Sequence, residues 1–320
     1  MDHAASAIAD EVRRGLTAPQ KRLPPHLFYD EEGSRLYELI TELDEYYPTR
    51  TERGILERHA HEIVARAADG DAQPLRVVEL GAGSADKTRL ILAAVVAAQG
   101  PTTYLPVDVS PTALDAAKSR IESELSEVQV RPFVGRHEDA AATIAELGPR
   151  RLVLFIGSSI GNFDDDEAVR LLRSVRRGLL PGAALLLGTD MKKSPARLVP
   201  AYDDASGVTA EFNKNVLRRI NRELGGQFDL GLFRHVALWN EPASRVEMHL
   251  EAGVEHDVSI EALGLRVKFH RGERIHTESS IKYDLPRVDA LLGRSGFVRE
   301  ATFSDDQGAF GVHLARAQVS

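Results

Sequence analysis

Cysteine is absent from this 320-residue chain, which excludes disulfides and thiolate metal sites. Long apolar runs are missing too. The longest stretch, around Ala183 to Leu187, is far too short to span a bilayer. Nor is there a block of clustered Lys and Arg of the kind a phosphate backbone requires. With a net charge of -8, nucleic acid is not an expected partner. Met1 to Leu16 carries Asp2, Asp10 and Glu11 and has no apolar h-region, unlike a signal peptide. A cytoplasmic setting without a membrane partner is expected. No internal repeat and no low-complexity segment interrupts the chain. What is present is 43% hydrophobic and 28% charged residues, enough for one large core or two modest ones.

The order of elements points to an α/β protein. A helical stretch, Ala7 to Leu16, leads into an aromatic and polar loop region containing Leu27 to Ser34 and Leu43 to Arg50. A helix from Thr51 to about Ala67 follows, its apolar face given by Ile55, Leu56, Ile63 and Val64. Strands and helices then alternate. The strands are Arg76 to Leu80, Tyr104 to Val109, Val128 to Val134, Arg151 to Ile156 and Ala183 to Gly188. The helices are Lys87 to Ala98, a run opened by Ser110 as N-cap and Pro111 at N1, and Asp166 to Leu179. Short connections between such elements predict a doubly wound, Rossmann-like sheet. After Asp190 the alternation stops. A helix over Ala210 to Leu224 precedes a segment, Arg234 to Tyr283, that reads as one antiparallel sheet of Ser244 to Leu250, Leu265 to Phe269 and Ile275 to Tyr283. The tail from Val288 carries a helix and two strands. Two discontinuous domains are therefore expected. One is a doubly wound domain of residues 55–195 plus 285–320; the other is an α+β domain of residues 1–54 plus 196–284.

The strand Val77 to Leu80 runs into Gly81-Ala82-Gly83-Ser84 and then a helix. Glycine lets a backbone approach a ligand and take positive φ, and ligands of parallel sheets bind at the carboxyl ends of the strands. A dinucleotide fingerprint needs a third glycine at position 86, where this chain has Asp86. Glu79 before the loop fits a methyltransferase better. Asp108 ends the second strand, where a carboxylate can accept both ribose hydroxyls of a nucleoside. Its other reading is a plain strand-end residue.

Several runs resemble one family, the histidine Nα-methyltransferases of the ergothioneine pathway. They include Phe28-Tyr29-Asp30 with Gly33-Ser34, Glu45-Tyr46-Tyr47-Pro48-Thr49-Arg50-Thr51-Glu52 and Val78-Glu79-Leu80-Gly81 with Lys87-Thr88. Gly157-Ser158-Ser159-Ile160-Gly161-Asn162, Leu187-Gly188-Thr189-Asp190, Ala201-Tyr202-Asp203-Asp204 with Gly207-Val208-Thr209 and Phe212-Asn213, and Glu247-Met248 follow in the family's order. The resemblance covers nearly the whole chain. It implies S-adenosylmethionine as cofactor and trimethylation of free L-histidine to hercynine. It also implies that Tyr46, Asn162 and Tyr202 hold the amino acid, with Asn162 and Tyr202 on the α-carboxylate, and that Glu278 and Ser280, beside Ser279, bind the imidazole. Met248 would form an apolar wall, and Tyr46 or Tyr29 would relay a proton through water. Gly81, Lys87 and Asp108 would bind the cofactor. Where the family has an acidic residue and an aromatic after a glycine, Gly135 is followed here by Arg136 and His137. Arg136 cannot accept from an adenine amino group, whereas His137 can stack and Glu138 or Asp139 can take the acidic role.

Taken singly, these residues have blander readings. Tyr46-Tyr47 reads as a loop anchor, Asn162 as a turn residue or cap, Glu278 as a solvated strand position and Met248 as core. Other functions are the same reaction on tryptophan or tyrosine, a non-catalytic binder of the methyl donor, and a nicotinamide oxidoreductase. A monomer acting on a small molecule is expected, with no metal.

Overall fold

A computed structural model gives the fold and describes residues 3–69, 73–83 and 85–318, without the side chains of residues 3–7 and 138. Along the chain run α1 (His3–Thr17), α2 (Glu31–Glu42), α3 (Tyr47–Ala68), β1 (Arg76–Leu80), α4 (Thr88–Gln99), β2 (Thr102–Asp108) and α5 (Pro111–Glu124). Next are β3 (Val128–Val130), β4 (Phe133–Val134), α6 (Ala141–Glu146), β5 (Arg151–Phe155), α7 (Asp165–Arg177), β6 (Ala184–Asp190), α8 (Pro195–Leu198) and α9 (Val208–Leu224). The last are β7 (Phe233–Asn240), β8 (Arg245–Ala252), β9 (His256–Ile260), β10 (Leu265–Phe269), β11 (Arg274–Ile281), α10 (Leu285–Arg294), β12 (Phe297–Ser304) and β13 (Phe310–Ala317).

The chain forms two units, Met1–Tyr47 with Lys193–Ile281 and Pro48–Lys192 with Lys282–Ser320. All three crossings of the chain fall within seven residues of the expected divisions: residues 48–54 go with the larger unit, as do 282–284, while 193–195 go with the smaller.

The larger unit holds an eight-stranded sheet in the order β12-β13-β6-β5-β1-β2-β3, with β4 also paired to β2. From β6 to β3 and β4 all pairings are parallel. The tail adds β13 and β12 antiparallel on the far side of β6. Central strands β1, β5 and β6 are buried almost throughout, which matches their apolar composition and helices on both faces. The expected third strand is split. Pro132 lacks an amide donor, and pairing resumes with β4 beyond it. At α5 the Ser110 side chain accepts from the Ala113 amide and Pro111 fills N1. At α7, Asp164 and Glu167 form a capping box.

The smaller unit has its own core, built from Leu16, Phe28, Phe212, Leu217, Phe233, Leu250 and Phe269 among others. Its three-stranded sheet runs β11-β8-β7 and is antiparallel. The expected place of Leu265–Phe269 in that sheet is wrong: β10 pairs instead with β9 as a separate hairpin. The loop expected across residues 27–50 is likewise partly helical. Asp30 caps α2 by accepting from the Gly33 amide at 2.8 Å, and Asn215 of α9 donates to the same carboxylate oxygen at 2.7 Å.

Candidate active site

In the larger unit, the predicted cofactor residues lie at the carboxyl ends of the parallel strands. The chain leaves β1 through Gly81 at φ +71° and Gly83 at φ +50°. That left-handed turn is open to glycine at little cost. The Gly81 amide donates to the Val107 carbonyl at 2.8 Å, tying the turn to the end of β2. Asp108 ends β2 half-buried; one carboxylate oxygen accepts from the Ser110 amide at 2.9 Å and the other from the Gly83 amide at 3.3 Å. The His137 ring lies against the same turn, 3.6 Å from where a Gly81 Cβ would stand, and edge-on to Phe155 at 5.6 Å. Gly81, Asp108 and His137 are thus brought together. Arg136 precedes the 3-10 turn His137–Ala140 with its side chain exposed, and Asp139 is exposed. Ser84 and the Glu138 side chain lie outside the described residues. A carboxylate, an aromatic ring and open backbone at a glycine turn suit a ribose and a flat heterocycle.

Below this turn, Glu79 is buried and accepts from the hydroxyls of Thr88 and Tyr104. Burial pushes its carboxyl up to about 7. It clasps β1, β2 and the start of α4. Lys87, just before α4, donates to the carboxylate of Glu52, which has no exposed surface. Both Glu52 oxygens lie 2.9 Å from the Gly157 amide, which donates to them. Gly188 makes room for this: a Cβ there would stand 2.2 Å from a Glu52 oxygen. Sequence reasoning missed Glu52 as a site residue. The signal was present, since Glu52 precedes Ile55 and Leu56 by three and four residues and so lies on the apolar stripe of α3.

Asn162 ends a 3-10 turn, Ser159–Asn162, that follows β5 and is half-buried. The loop is held at two points. Ser158, in the left-handed region at φ 58°, accepts the Asp190 amide on its hydroxyl at 2.8 Å. Tyr283 donates to the Ile160 carbonyl at 3.4 Å. Next to Tyr283, Lys282 pairs with Asp190 at 2.8 Å, both buried.

In the smaller unit, the β11-β8-β7 sheet presents one face carrying Glu278, Met248 and Ala237 in register, followed by Ser280, Val246 and Trp239. The Tyr202 hydroxyl donates to the Ser280 hydroxyl at 2.8 Å. His235, on the same face, bonds the Tyr202 carbonyl through Nε2 at 2.7 Å, while its Nδ1 meets the Asn213 amide nitrogen at 2.8 Å. Since that nitrogen can only donate, His235 carries its proton on Nε2. Tyr29, Tyr37, Tyr46 and Tyr202 form a chain of edge-on rings with centroids 5.8, 6.3 and 6.5 Å apart. Burial raises the Tyr46 phenol well above its ordinary value, so it stays neutral and serves as a hydrogen-bonding group.

Ser279 is not brought together with Glu278 and Ser280. The pairing of β11 slips between His276 and Glu278, so Ser279 stands opposite Glu247 and bonds His276 Nε2 at 2.9 Å. Of the other substrate residues of this unit, Tyr46, Tyr202 and Met248 belong to one core, and Glu278 and Ser280 share the sheet face of Met248; Asn162 belongs to the larger unit.

A family model described as "Histidine-specific methyltransferase, SAM-dependent" matches residues 8–317. A protein named "Histidine N-alpha-methyltransferase" from Mycolicibacterium smegmatis is 44% identical over 98% of this chain and 96% of its own length. One of the same name from Mycobacterium tuberculosis is 42% identical over 97% and 94%. An L-tryptophan methyltransferase from Psilocybe serbica is 28% identical over 98% and 93%. Among solved structures, the CcbJ methyltransferase from Streptomyces caelestis matches 82% of this chain and 94% of its own, at 17% identity and a TM-score of 0.41.

Proposed function

This chain belongs to the histidine-specific, SAM-dependent methyltransferases, and we infer that it methylates the α-amine of free L-histidine, three times in succession, to give the hercynine of ergothioneine biosynthesis. The observation that carries this reading is the shared sheet face of Glu278, Ser280 and Met248, with Tyr202 bonded to Ser280. A neutral imidazole offers one N–H and one lone pair. A carboxylate accepts the first and a hydroxyl donates to the second. The indole of tryptophan offers only an N–H, so the hydroxyl at Ser280 would lack its match, and buried polar groups left without a match discriminate strongly.

S-adenosylmethionine, when bound, supplies a methyl carbon activated by its sulfonium. Asp108 would accept hydrogen bonds from the ribose hydroxyls, His137 would offer its ring to the base, Gly81 would let the backbone come close, and Lys87 would bind the cofactor from the same side as the glycine turn. Tyr202 holds the substrate α-carboxylate, and the Tyr202–Ser280 bond links the group that holds the carboxylate to the group that holds the ring. The tyrosine rings tolerate positive charge building on the nitrogen through their electron-rich faces. Because Tyr46 stays a neutral phenol, the amine proton leaves to water, with Tyr46 or Tyr29 relaying it. An α-amine titrates near roughly 8, so turnover rises with pH up to that region.

The test is Glu278→Ala, with KM and kcat measured for histidine and cofactor affinity measured by calorimetry. A large rise in histidine KM with cofactor affinity intact supports the reading. Unchanged histidine kinetics would remove the imidazole site from Glu278.

A further inference from the structure

The direction in which Glu278 points is set by one extra residue in β11, and we propose that Thr277 is the positioning residue for substrate selection. The proposal rests on the reading that Glu278 grips the imidazole. In an uninterrupted strand, side chains alternate, so His276, Glu278 and Ser280 would share one face. They do not. His276 stands opposite His249, and the next pair is Glu278 opposite Met248. Thr277 is the residue without a partner, which makes it the inserted member of a β-bulge. The insertion reverses the alternation. Glu278 and Ser280 join Met248 and Val246 on one face, while His276 and Ser279 join His249 and Glu247 on the other.

Two side-chain bonds hold the bulge. Thr277 is buried, and its hydroxyl donates to the Met248 carbonyl at 3.0 Å. Met248 is the residue opposite Glu278, so the bond fixes the backbone where the Glu278 side chain departs. On the opposite face the His276–Ser279 bond at 2.9 Å spans the bulge from end to end. His276 and Ser279 are thus tied to each other across the insertion, and the sequence Ile275-His276-Thr277-Glu278 carries no glycine that would otherwise ease it. Thr277 touches neither reactant in this reading. It acts through Glu278.

Thr277→Val keeps the branched shape, removes the hydroxyl and leaves a buried carbonyl without that donor. We expect the KM for histidine to rise about tenfold and the preference for histidine over tryptophan to fall by a similar factor. Cofactor affinity, read by calorimetry, should stay as in the parent. Thr277→Ser should restore histidine KM to within about twofold, since the donor returns. In a Glu278→Ala background, Thr277→Val should add nothing. Thermal melting of each variant checks folding, and if Thr277→Val melts early, Thr277→Ser against Thr277→Ala below the melting point gives the same contrast. A parental KM and preference in Thr277→Val, with Glu278→Ala impaired, overturns the positioning role and leaves the Glu278 reading standing. A parental KM in Glu278→Ala overturns the reading itself.

Discussion

Glu52 and Lys87 form an ion pair whose carboxylate has no exposed surface and whose two oxygens also accept from the Gly157 amide. This one side chain joins α3, the start of α4 and the loop after β5. Glu52→Gln keeps the shape but removes the charge that holds the ammonium. Affinity for S-adenosylmethionine should fall about tenfold, the factor for about 1.4 kcal/mol. Calorimetry in a Lys87→Met background checks the route. If Glu52 acts through Lys87, the two losses are not additive; additive losses would make Glu52 a general support of the fold.

Asp108 holds two loops together through the amides of Ser110 and Gly83. A charged acceptor of ribose hydroxyls is worth about 1.5–3 kcal/mol. Asp108→Asn should therefore weaken cofactor binding by roughly tenfold to a hundredfold. Histidine KM at saturating cofactor should hold. Intact cofactor affinity in that variant would remove the ribose role.

The buried pair of Lys282 and Asp190 lies where β6 meets the loop carrying Asn162. Removing one partner strands a charge, at a cost of about 3–5 kcal/mol. Lys282→Met should lower the stability read by denaturant unfolding by that amount, and the double variant Lys282→Met with Asp190→Asn should recover part of it. A Lys282→Met protein as stable as the parent would contradict this account of the loop's anchor.

Stability should depend on pH through Glu79. Its carboxyl is raised from 4.5 to about 7 by burial, so the folded state binds the extra proton. Its contribution is complete below pH 4.5 and is lost as pH rises through about 7. His276 and His313, both lowered from 6.5 to about 4 chiefly by burial, act in the opposite sense: their contribution is present above 6.5 and lost as pH falls through about 4. Glu79→Gln isolates the first effect. Between pH 4.5 and 7, its unfolding free energy should fall more steeply on acidification than the parent's. Parallel curves would mean that Glu79 ionises in the fold as it does in the unfolded chain.

Much of this was legible in the residues. The alternating strands and helices, the Ser110-Pro111 helix start and the glycine turn after Leu80 each have a local cause, and the structure has them. The helix α2 was hidden because its cap, Asp30, sits in an aromatic and polar stretch and because its first turn contains Gly33. The bulge at Thr277 was hidden for another reason. Strand alternation was the only guide to which residues share a face, and a single inserted residue without a glycine marker reverses it. Ser279, placed with the imidazole residues by the resemblance alone, falls on the other face from Glu278 and Ser280 by simple alternation, with or without the bulge. The pairing of β10 with β9 depends on partners brought from elsewhere, and no local pattern records it.

The most direct measurement is product mass after incubation of the protein with S-adenosylmethionine and an equimolar mixture of histidine, tryptophan and tyrosine. The account predicts histidine carrying three methyl groups on its α-nitrogen, with the other two amino acids unmodified. Unmodified histidine beside methylated tryptophan or tyrosine would contradict it.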